Sequence, residues 1–202
     1  MSIKYATKCW SGDYKIVNSY HPNADVIYGN NMSPEEVDEA FTLLGTKFRY
    51  IGEGHPYTVS ELYAVNNVKS EYILWYASDV KPPAENWIET AIPLLEEYPI
   101  VSPFWSEPYG EYVKTCDRQE VGGFKQTDFG FEDHMFSDHA YIARTEVMRN
   151  IDYETDSYVK KYYPPHGGNS FECRVAQWLE VTDQRRAVLR DFQYRHTTGD
   201  EK

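Results

Sequence analysis

Asp79 is the first residue of this sequence whose type and position suggest chemistry. It follows Tyr72 to Ala77, an apolar stretch that predicts a buried strand, and Pro82 and Pro83 come soon after it. Helices cover the strands of an open α/β sheet, so ligands meet the sheet just beyond the strands' carboxyl ends. A carboxylate there offers the hard oxygen ligands that Mg²⁺ and Mn²⁺ prefer. Asp79 is therefore a candidate for metal or ligand binding, although an aspartate after a strand also commonly begins a turn.

Two more chemically capable residues lie late in the sequence. Glu172 stands at the start of a run of apolar residues at helical spacing. A carboxylate at a helix N-terminus is well placed to act as a general base, although it also simply complements the helix dipole. His196 follows Ala187 to Tyr194, which predicts a final strand, and a histidine in this position is also commonly an exposed tail residue.

The apolar pattern of the first half alternates short strands with helices. Ser33, Pro34 and Glu36 predict a helix start with a capping box, and Gly45 predicts the end of that helix. A second capping-box pattern begins at Thr58. The predicted strands are Ile3–Thr7, Asp25–Tyr28, Phe48–Ile51, Tyr72–Ala77 and Ile100–Phe104. This order predicts an α/β fold with an open, mostly parallel sheet and helices on both faces.

The second half is less regular than the first. Residues 106–135 are rich in glycine, aromatic and acidic side chains, which favours loops and short antiparallel strands. Tyr153 to Ser170 is expected to be a loop. A strand at Ala140 to Ala143, a short helix ending near Asn150 and a helix from Phe171 precede the final strand. We therefore expect a small antiparallel portion beside the parallel part of the sheet.

Length and composition limit the classes of protein. The 202 residues carry 20 basic and 32 acidic side chains, so the net charge is -12 and a general polyanion binder is disfavoured. No apolar run approaches the roughly 20 residues of a membrane span. Three widely spaced cysteines indicate neither a disulfide framework nor a zinc site. We expect one domain, residues 1–202, in the cytoplasm, or in the host cytoplasm for a viral protein.

Two stretches resemble the GT-A glycosyltransferases, especially those of family 2. Glu71 to Pro82 is similar to the family's strand that ends in an Asp-x-Asp motif; Asp79 matches its second carboxylate and Ala77 stands at its first. Gly167 to Leu179 is similar to the family's Gly-rich loop, acidic pair and amphipathic helix, with Glu172 at the position of the catalytic base. His196 then falls where many members place a third metal ligand.

The resemblance implies a metal-dependent glycosyltransferase with a GT-A fold. Residues 1–104 would bind the nucleotide-sugar, with a UDP-sugar as the expected donor, and residues 105–202 would hold the acceptor and the catalytic groups. Asp79 and His196 would bind Mn²⁺ or Mg²⁺, which neutralises the diphosphate leaving group. Glu172 would deprotonate the acceptor hydroxyl in an inverting displacement.

The remaining site residues are expected by position. Ends of parallel strands face the nucleotide in such folds, which indicates donor contacts for the residues near the first, third and fourth strand ends: Thr7, Trp10, Glu53, His55, Ser78 and Asp79. His166 and Asn169, in the Gly-rich loop, are the expected acceptor contacts. The family's acidic pair after the second strand is replaced by Asn30 and Asn31, which leaves the identity of the nucleotide base open.

The sequence leaves open which acceptor the protein would use and whether it is an enzyme at all. A soluble acceptor, such as a glycan or a small molecule, fits a chain without a membrane-length apolar run. A hydroxymethylated nucleic-acid base, presented out of the stack, is a second possibility, with Lys160, Lys161 and the Tyr-rich loop as holders. A sugar-nucleotide-binding module of the same fold without catalysis is the third, since the first carboxylate of the motif is missing.

Overall fold

A computed structural model describes residues 1–53, 59–83, 87–105, 125–134, 136–153 and 171–196. The strands of these residues are β1 Ile3–Cys9, β2 Val26–Gly29, β3 Phe48–Tyr50, β4 Tyr72–Tyr76, β5 Val80–Lys81, β6 Ile100–Trp105, β7 Lys125–Thr127, β8 Gly130–Asp133, β9 Ala140–Arg144 and β10 Arg186–His196. The α-helices are α1 Tyr14–Tyr20, α2 Pro34–Leu44, α3 Val59–Asn67, α4 Trp87–Leu94, α5 Thr145–Asn150 and α6 Phe171–Val181, and a 3₁₀ turn spans Gly45–Lys47.

The strands form one sheet in the order β3-β2-β1-β4-β9-β6-β10-β8-β7, and β5 pairs with β10 beside this path. Strands β3, β2, β1 and β4 are mutually parallel, and β6 is parallel to β10. Strand β9 runs antiparallel between β4 and β6, while β8 and β7 extend the sheet as an antiparallel hairpin. The predicted α/β fold with a mostly parallel sheet and a small antiparallel portion is confirmed.

The predicted capping box positions α2. The Glu36 backbone amide donates to the Ser33 hydroxyl at 3.2 Å, and the Ser33 amide donates to the Glu36 carboxylate at 2.8 Å. Pro34 occupies the first turn, where no amide hydrogen is required. Gly45 follows the helix with φ 62°, a conformation that suits glycine.

Successive side chains along each central strand pack on opposite faces of the sheet. Trp75 of β4 packs in a core with residues of α3, α5 and α6, whereas its neighbour Tyr76 packs with residues of α4. A third cluster joins α1 and α2 to the outer strands around Phe48. Because helices cover both faces, the carboxyl ends of the parallel strands are the natural place for a ligand.

The sheet also contains a strand that sequence patterns did not predict. Val80 and Lys81 form β5 immediately after Asp79 and pair antiparallel with the end of β10. The last predicted strand is correspondingly longer than expected and includes His196. Asp79 therefore lies in a turn between two strands, β4 and β5.

Candidate active site at the carboxyl edge of the sheet

The segment Ala77–Asp79, called here the Asp79 turn, joins β4 to β5. The Ala77 amide donates to the His139 carbonyl at 2.8 Å, and the Val80 amide donates to the Ala77 carbonyl at 3.2 Å. Val80 is also the register partner of His196 in β10. The backbone therefore places Val80, the residue after Asp79, beside His196. Asp79 and His196 are the two residues that the resemblance predicts as metal ligands.

Residues from β1 and from the segment after it contact the Asp79 turn from the opposite side. Thr7 donates its hydroxyl to the Tyr76 carbonyl at 2.8 Å. Ser78 donates to the Asp13 carboxylate at 2.6 Å and accepts from the Trp10 indole at 3.2 Å. Thr7, Trp10 and Ser78, predicted as donor contacts, are therefore brought together. The hydroxyls of Thr7 and Ser78 are buried and orient the turn itself.

A histidine missed by the sequence analysis completes the support of this turn. The His21 Nε2 atom lies 3.1 Å from the Ala77 carbonyl oxygen and 3.2 Å from that of Ser78, and Nδ1 lies 2.5 Å from the Tyr5 hydroxyl. Burial lowers the pKa of His21 to about 4, against the opposing effect of these carbonyls and of Asp79. The imidazole is therefore neutral at physiological pH.

A buried group of charges, called here the Lys8 cluster, lies beside the turn. The Lys8 ammonium is 2.9 Å from the Glu61 carboxylate and 3.5 Å from that of Asp138. Less than 10% of each of the three side chains is exposed. Sequence analysis assigned Glu61 only to the capping-box pattern that begins at Thr58 and gave none of the three a role in the site, although a lysine inside an apolar strand is a detectable signal.

The charges in the Lys8 cluster shift one another's protonation. Burial lowers the pKa of Lys8, but the charges of Glu61, Asp138 and, more weakly, Asp79 raise it well above its ordinary value. Burial raises the pKa of Glu61 to about 7 despite the nearby Lys8. The pKa of Asp138 is lowered, because Lys8 and then His139 outweigh the effect of burial. Lys8 and Asp138 therefore form the charged pair at the centre of the cluster.

Glu172 borders this cluster from the first turn of α6. Its carboxylate accepts a hydrogen bond from the Asp138 backbone amide. Burial, followed by the charge of Asp138, raises the pKa of Glu172 to about 8, although Arg186 and Lys8 act in the opposite direction. The side chain keeps part of its surface exposed to solvent. This environment makes Glu172 a stronger base than an ordinary glutamate while leaving it accessible.

Asn30 directly follows β2, and its side chain has an unpaired hydrogen-bond donor. Its amide oxygen accepts from the Ser60 hydroxyl at 3.1 Å, whereas its amide nitrogen has no hydrogen-bond partner within the described residues. Only 1% of Asn30 is exposed. Glu53, predicted as a donor contact, is exposed just beyond β3. The Asn31 amide donates to the Gly52 carbonyl at 3.2 Å and thereby holds these two strand ends together.

Three predicted site residues, His55, His166 and Asn169, lie outside the described residues. For His196, the structure describes the backbone. Among the described residues, no group of three or more His, Cys, Asp or Glu side chains is arranged to hold a metal ion. Asp79 is half-buried, and its oxygen donors suit a hard cation. Such a cation would thus need further ligands, and the oxygens of a diphosphate are chemically suited to that role.

Comparison with solved structures identifies the fold. The mannosyltransferase PcManGT from Pyrobaculum calidifontis, solved in complex with GDP-Man and Mn²⁺, is similar at a TM-score of 0.60 with 10% identity over 96% of this chain. CMP:2-keto-3-deoxy-manno-octonic acid synthetase, solved with CTP, is similar at a TM-score of 0.58 with 10% identity, covering 98% of this chain and 91% of the synthetase chain.

A third similar structure is TarS from S. aureus, at a TM-score of 0.54 and 13% identity over 100% of this chain. This chain spans 56% of the mannosyltransferase chain and 37% of the TarS chain. The protein has a GT-A-like fold, the architecture that these glycosyltransferases share with nucleotidyltransferases.

Neither a protein-family model nor a curated protein matches this sequence. Within the residues that the structure describes, no helix is long and apolar enough to cross a membrane.

Proposed function

We propose that this chain is a glycosyltransferase that moves a sugar from a nucleotide-sugar to an acceptor hydroxyl. The observation that carries the proposal is electrostatic: Lys8, buried at the carboxyl edge of the sheet, interacts with the charges of both Asp79 and Glu172. A base and a cation-binding carboxylate near one another are what sugar transfer from a diphosphate requires. The similarity to a mannosyltransferase solved with GDP-Man and Mn²⁺ supports this choice.

The proposed catalytic base is Glu172. As the acceptor oxygen bonds to the anomeric carbon, the bond from that carbon to the diphosphate oxygen breaks. The hydroxyl proton passes to the Glu172 carboxylate, and the nucleoside diphosphate leaves with the bonding electron pair. With its pKa raised to about 8, deprotonated Glu172 is a stronger base than an ordinary glutamate, and the fraction able to accept the proton rises as pH approaches 8. Attack from the face opposite the leaving group inverts the anomeric centre.

Asp79 and His196 are the proposed metal ligands. The register of β5 and β10 places Val80, which follows Asp79, beside His196. The oxygens of a diphosphate would complete the ligand set. Bound Mn²⁺ or Mg²⁺ supplies Lewis acidity that neutralises charge on the leaving group.

Asn30 is the proposed contact to the nucleotide base, together with Trp10 and Glu53. A buried amide nitrogen without a partner favours a base that offers a carbonyl acceptor, as uracil, guanine and cytosine do and adenine does not. A UDP-sugar is the first donor to test, with guanine and cytosine nucleotide-sugars beside it. The expected acceptor contacts, His166 and Asn169, and the expected donor contact His55 complete the proposal. A soluble glycan or small molecule is the proposed acceptor class.

A binding module without catalysis is the second candidate, because Ala77 stands where the family has a carboxylate. The two candidates differ in their response to Glu172→Gln. An enzyme would bind the donor but lose turnover by about 10²–10⁴-fold, the usual contribution of a general base. A module would show donor binding, no turnover in any variant, and no effect of this substitution.

The test combines donor hydrolysis and thermal shift for the purified chain with Mn²⁺ or Mg²⁺ and a panel of sugar nucleotides. We expect one preferred donor, loss of metal-dependent binding in Asp79→Ala, and loss of turnover alone in Glu172→Gln. Asp38→Ala, on an exposed helix face, and Glu180→Gln, in the last turn of the same α6, are the matched controls. Absence of binding to every donor would overturn the proposal.

A further inference from the structure

We propose that His21 is a positioning residue that fixes the direction of Asp79 within the proposed nucleotide-sugar site. The role rests on the proposed function. His21 follows α1, and its side chain reaches the two carbonyls that immediately precede Asp79 along the chain. No residue of the Lys8 cluster contributes to these contacts, so this support of the turn is separate from the charge network.

The tautomer of His21 is determined by its partners. Carbonyl oxygens only accept hydrogen bonds, so the Nε2 atom that lies between the Ala77 and Ser78 carbonyls must carry the hydrogen. Nδ1 then accepts from the Tyr5 hydroxyl. One N–H is shared by two consecutive carbonyls, which constrains the peptide plane that leads into Asp79.

The position of the ring is fixed on several sides. The His21 amide donates to the Val17 carbonyl at 2.9 Å, which ties the residue to the end of α1. The ring stacks on Tyr76 of β4 with centroids 5.9 Å apart and an interplanar angle of 24°. Only 1% of the residue is exposed. Because the ring is held firmly against β4 and at the end of α1, the position of the turn depends on the positions of these two elements.

Positioning matters here because the motif has lost one of its two carboxylates. Ala77 has no ligand atoms in its side chain, so Asp79 is the only carboxylate of the Asp79 turn. Partners that orient a metal ligand commonly account for 10–100-fold in affinity. A shift of the turn by about 1 Å is enough to weaken a contact that depends on this one group.

The experiment measures the affinity of the full chain for its preferred nucleotide-sugar with Mn²⁺ in His21→Leu, His21→Gln and Tyr20→Leu. Leucine removes the donor, and we expect an affinity about tenfold weaker. Glutamine places an N–H near the position of Nε2 and should restore most of the affinity. Tyr20 contacts the His21 ring edge-on without reaching the carbonyls, so its replacement is the matched control and should leave the affinity unchanged.

Coupling to Asp79 provides the decisive comparison. In an Asp79→Ala background, His21→Leu should cause no further loss of the metal-independent affinity that remains, because the group it positions is gone. Equal losses with and without Asp79, or the same loss in His21→Gln as in His21→Leu, would show a general structural role and overturn the proposal. Unchanged affinity in His21→Leu would overturn it as well.

A ligand-free measurement separates this proposal from the proposed function. The Val80 amide donates to the Ala77 carbonyl, so its hydrogen exchange reports on the geometry of the turn. Faster exchange at Val80 in His21→Leu, with normal exchange in Tyr20→Leu, is expected whatever the ligand. If the wild-type chain bound no sugar nucleotide, the proposed function would fail, and exchange alone would decide whether His21 positions the turn. Unchanged exchange at Val80 would overturn that role.

Discussion

The Asp79 turn and the Lys8 cluster lie side by side but are stabilised by different interactions. The backbone at the end of β4 and in the turn is held by two neutral donors, the Thr7 hydroxyl and the His21 imidazole, and the Ser78 side chain donates to the Asp13 carboxylate. The cluster joins a buried lysine to two carboxylates. Neutral hydrogen bonds fix geometry with little dependence on charge, whereas buried charges depend on every partner being present. The direction of the turn and the charge balance of the cluster therefore depend mainly on different groups, although the charge of Asp79 also acts on Lys8.

The largest expected effect comes from breaking the charged region. Lys8→Met removes the cation that Glu61 and Asp138 share, so the free energy of unfolding should fall by about 3–5 kcal/mol. Urea denaturation measures it. Lys4→Met on the same strand is the control, because the exposed ion pair of Lys4 with Asp25, at 3.5 Å, should contribute about 0–1 kcal/mol. Equal losses in the two variants would contradict the importance of the buried cluster.

The second effect tests the neutral region through pH. The folded pKa of His21 is about 4 and its ordinary value is 6.5, so the unfolded chain binds more protons between these values. The contribution of neutral His21 is therefore present above pH 6.5 and is lost as pH falls toward 4. Relative to His21→Gln, the wild-type chain should lose about 2–3 kcal/mol of stability by about pH 4.5.

Urea denaturation of both chains at a series of pH values gives this difference. Other titrating groups are common to both chains and cancel in the comparison. A difference independent of pH would mean that the folded chain protonates the imidazole as readily as the unfolded chain, contrary to the lowering of its pKa by burial.

Glu172 should show the opposite pH dependence. Its folded pKa, about 8, lies above the ordinary 4.5, so the stability associated with its protonated form is complete below pH 4.5 and is lost as pH rises through 8. Glu172→Gln mimics the protonated group and should gain stability relative to wild type over that range. The gain should be smaller than the effect at His21, because the side chain retains contact with solvent. Thermal denaturation at pH 5, 7 and 9 measures it, with Glu180→Gln as the control.

The smallest expected effect concerns a single neutral hydrogen bond. Thr7→Val removes the bond from the Thr7 hydroxyl to the Tyr76 carbonyl and retains the shape of the side chain. The free energy of unfolding should fall by about 1 kcal/mol. Thr42→Val is the control, since its hydroxyl bonds to the Asp38 carbonyl on an exposed helix. Urea denaturation of both variants gives the comparison, and a loss of several kcal/mol at Thr7 would contradict the modest contribution assigned to neutral bonds.

The two regions also differ in how far the sequence predicts them. Strand ends follow from local apolar patterns, and so the sequence placed Asp79, Thr7 and Trp10 at one edge. Lys8 meets Glu61 53 residues away and Asp138 130 residues away, and His21 meets Ala77 56 residues away. The periodic pattern of apolar residues along the sequence does not predict contacts between residues so far apart. The roles of Asp79, Glu172 and His196 in catalysis and metal binding stay predictions that the experiments above address.

The pairing of Val80 with His196 has a consequence for how the protein becomes functional. These partners are 116 residues apart, the difference between positions 196 and 80. Contacts of such long sequence separation form late in folding, after the local helices and adjacent strands. During synthesis, β1 to β4 emerge well before β10, so the Asp79 turn acquires its neighbouring strand only once β10 has been made. The order of translation thus delays assembly of this edge until β10 is in place.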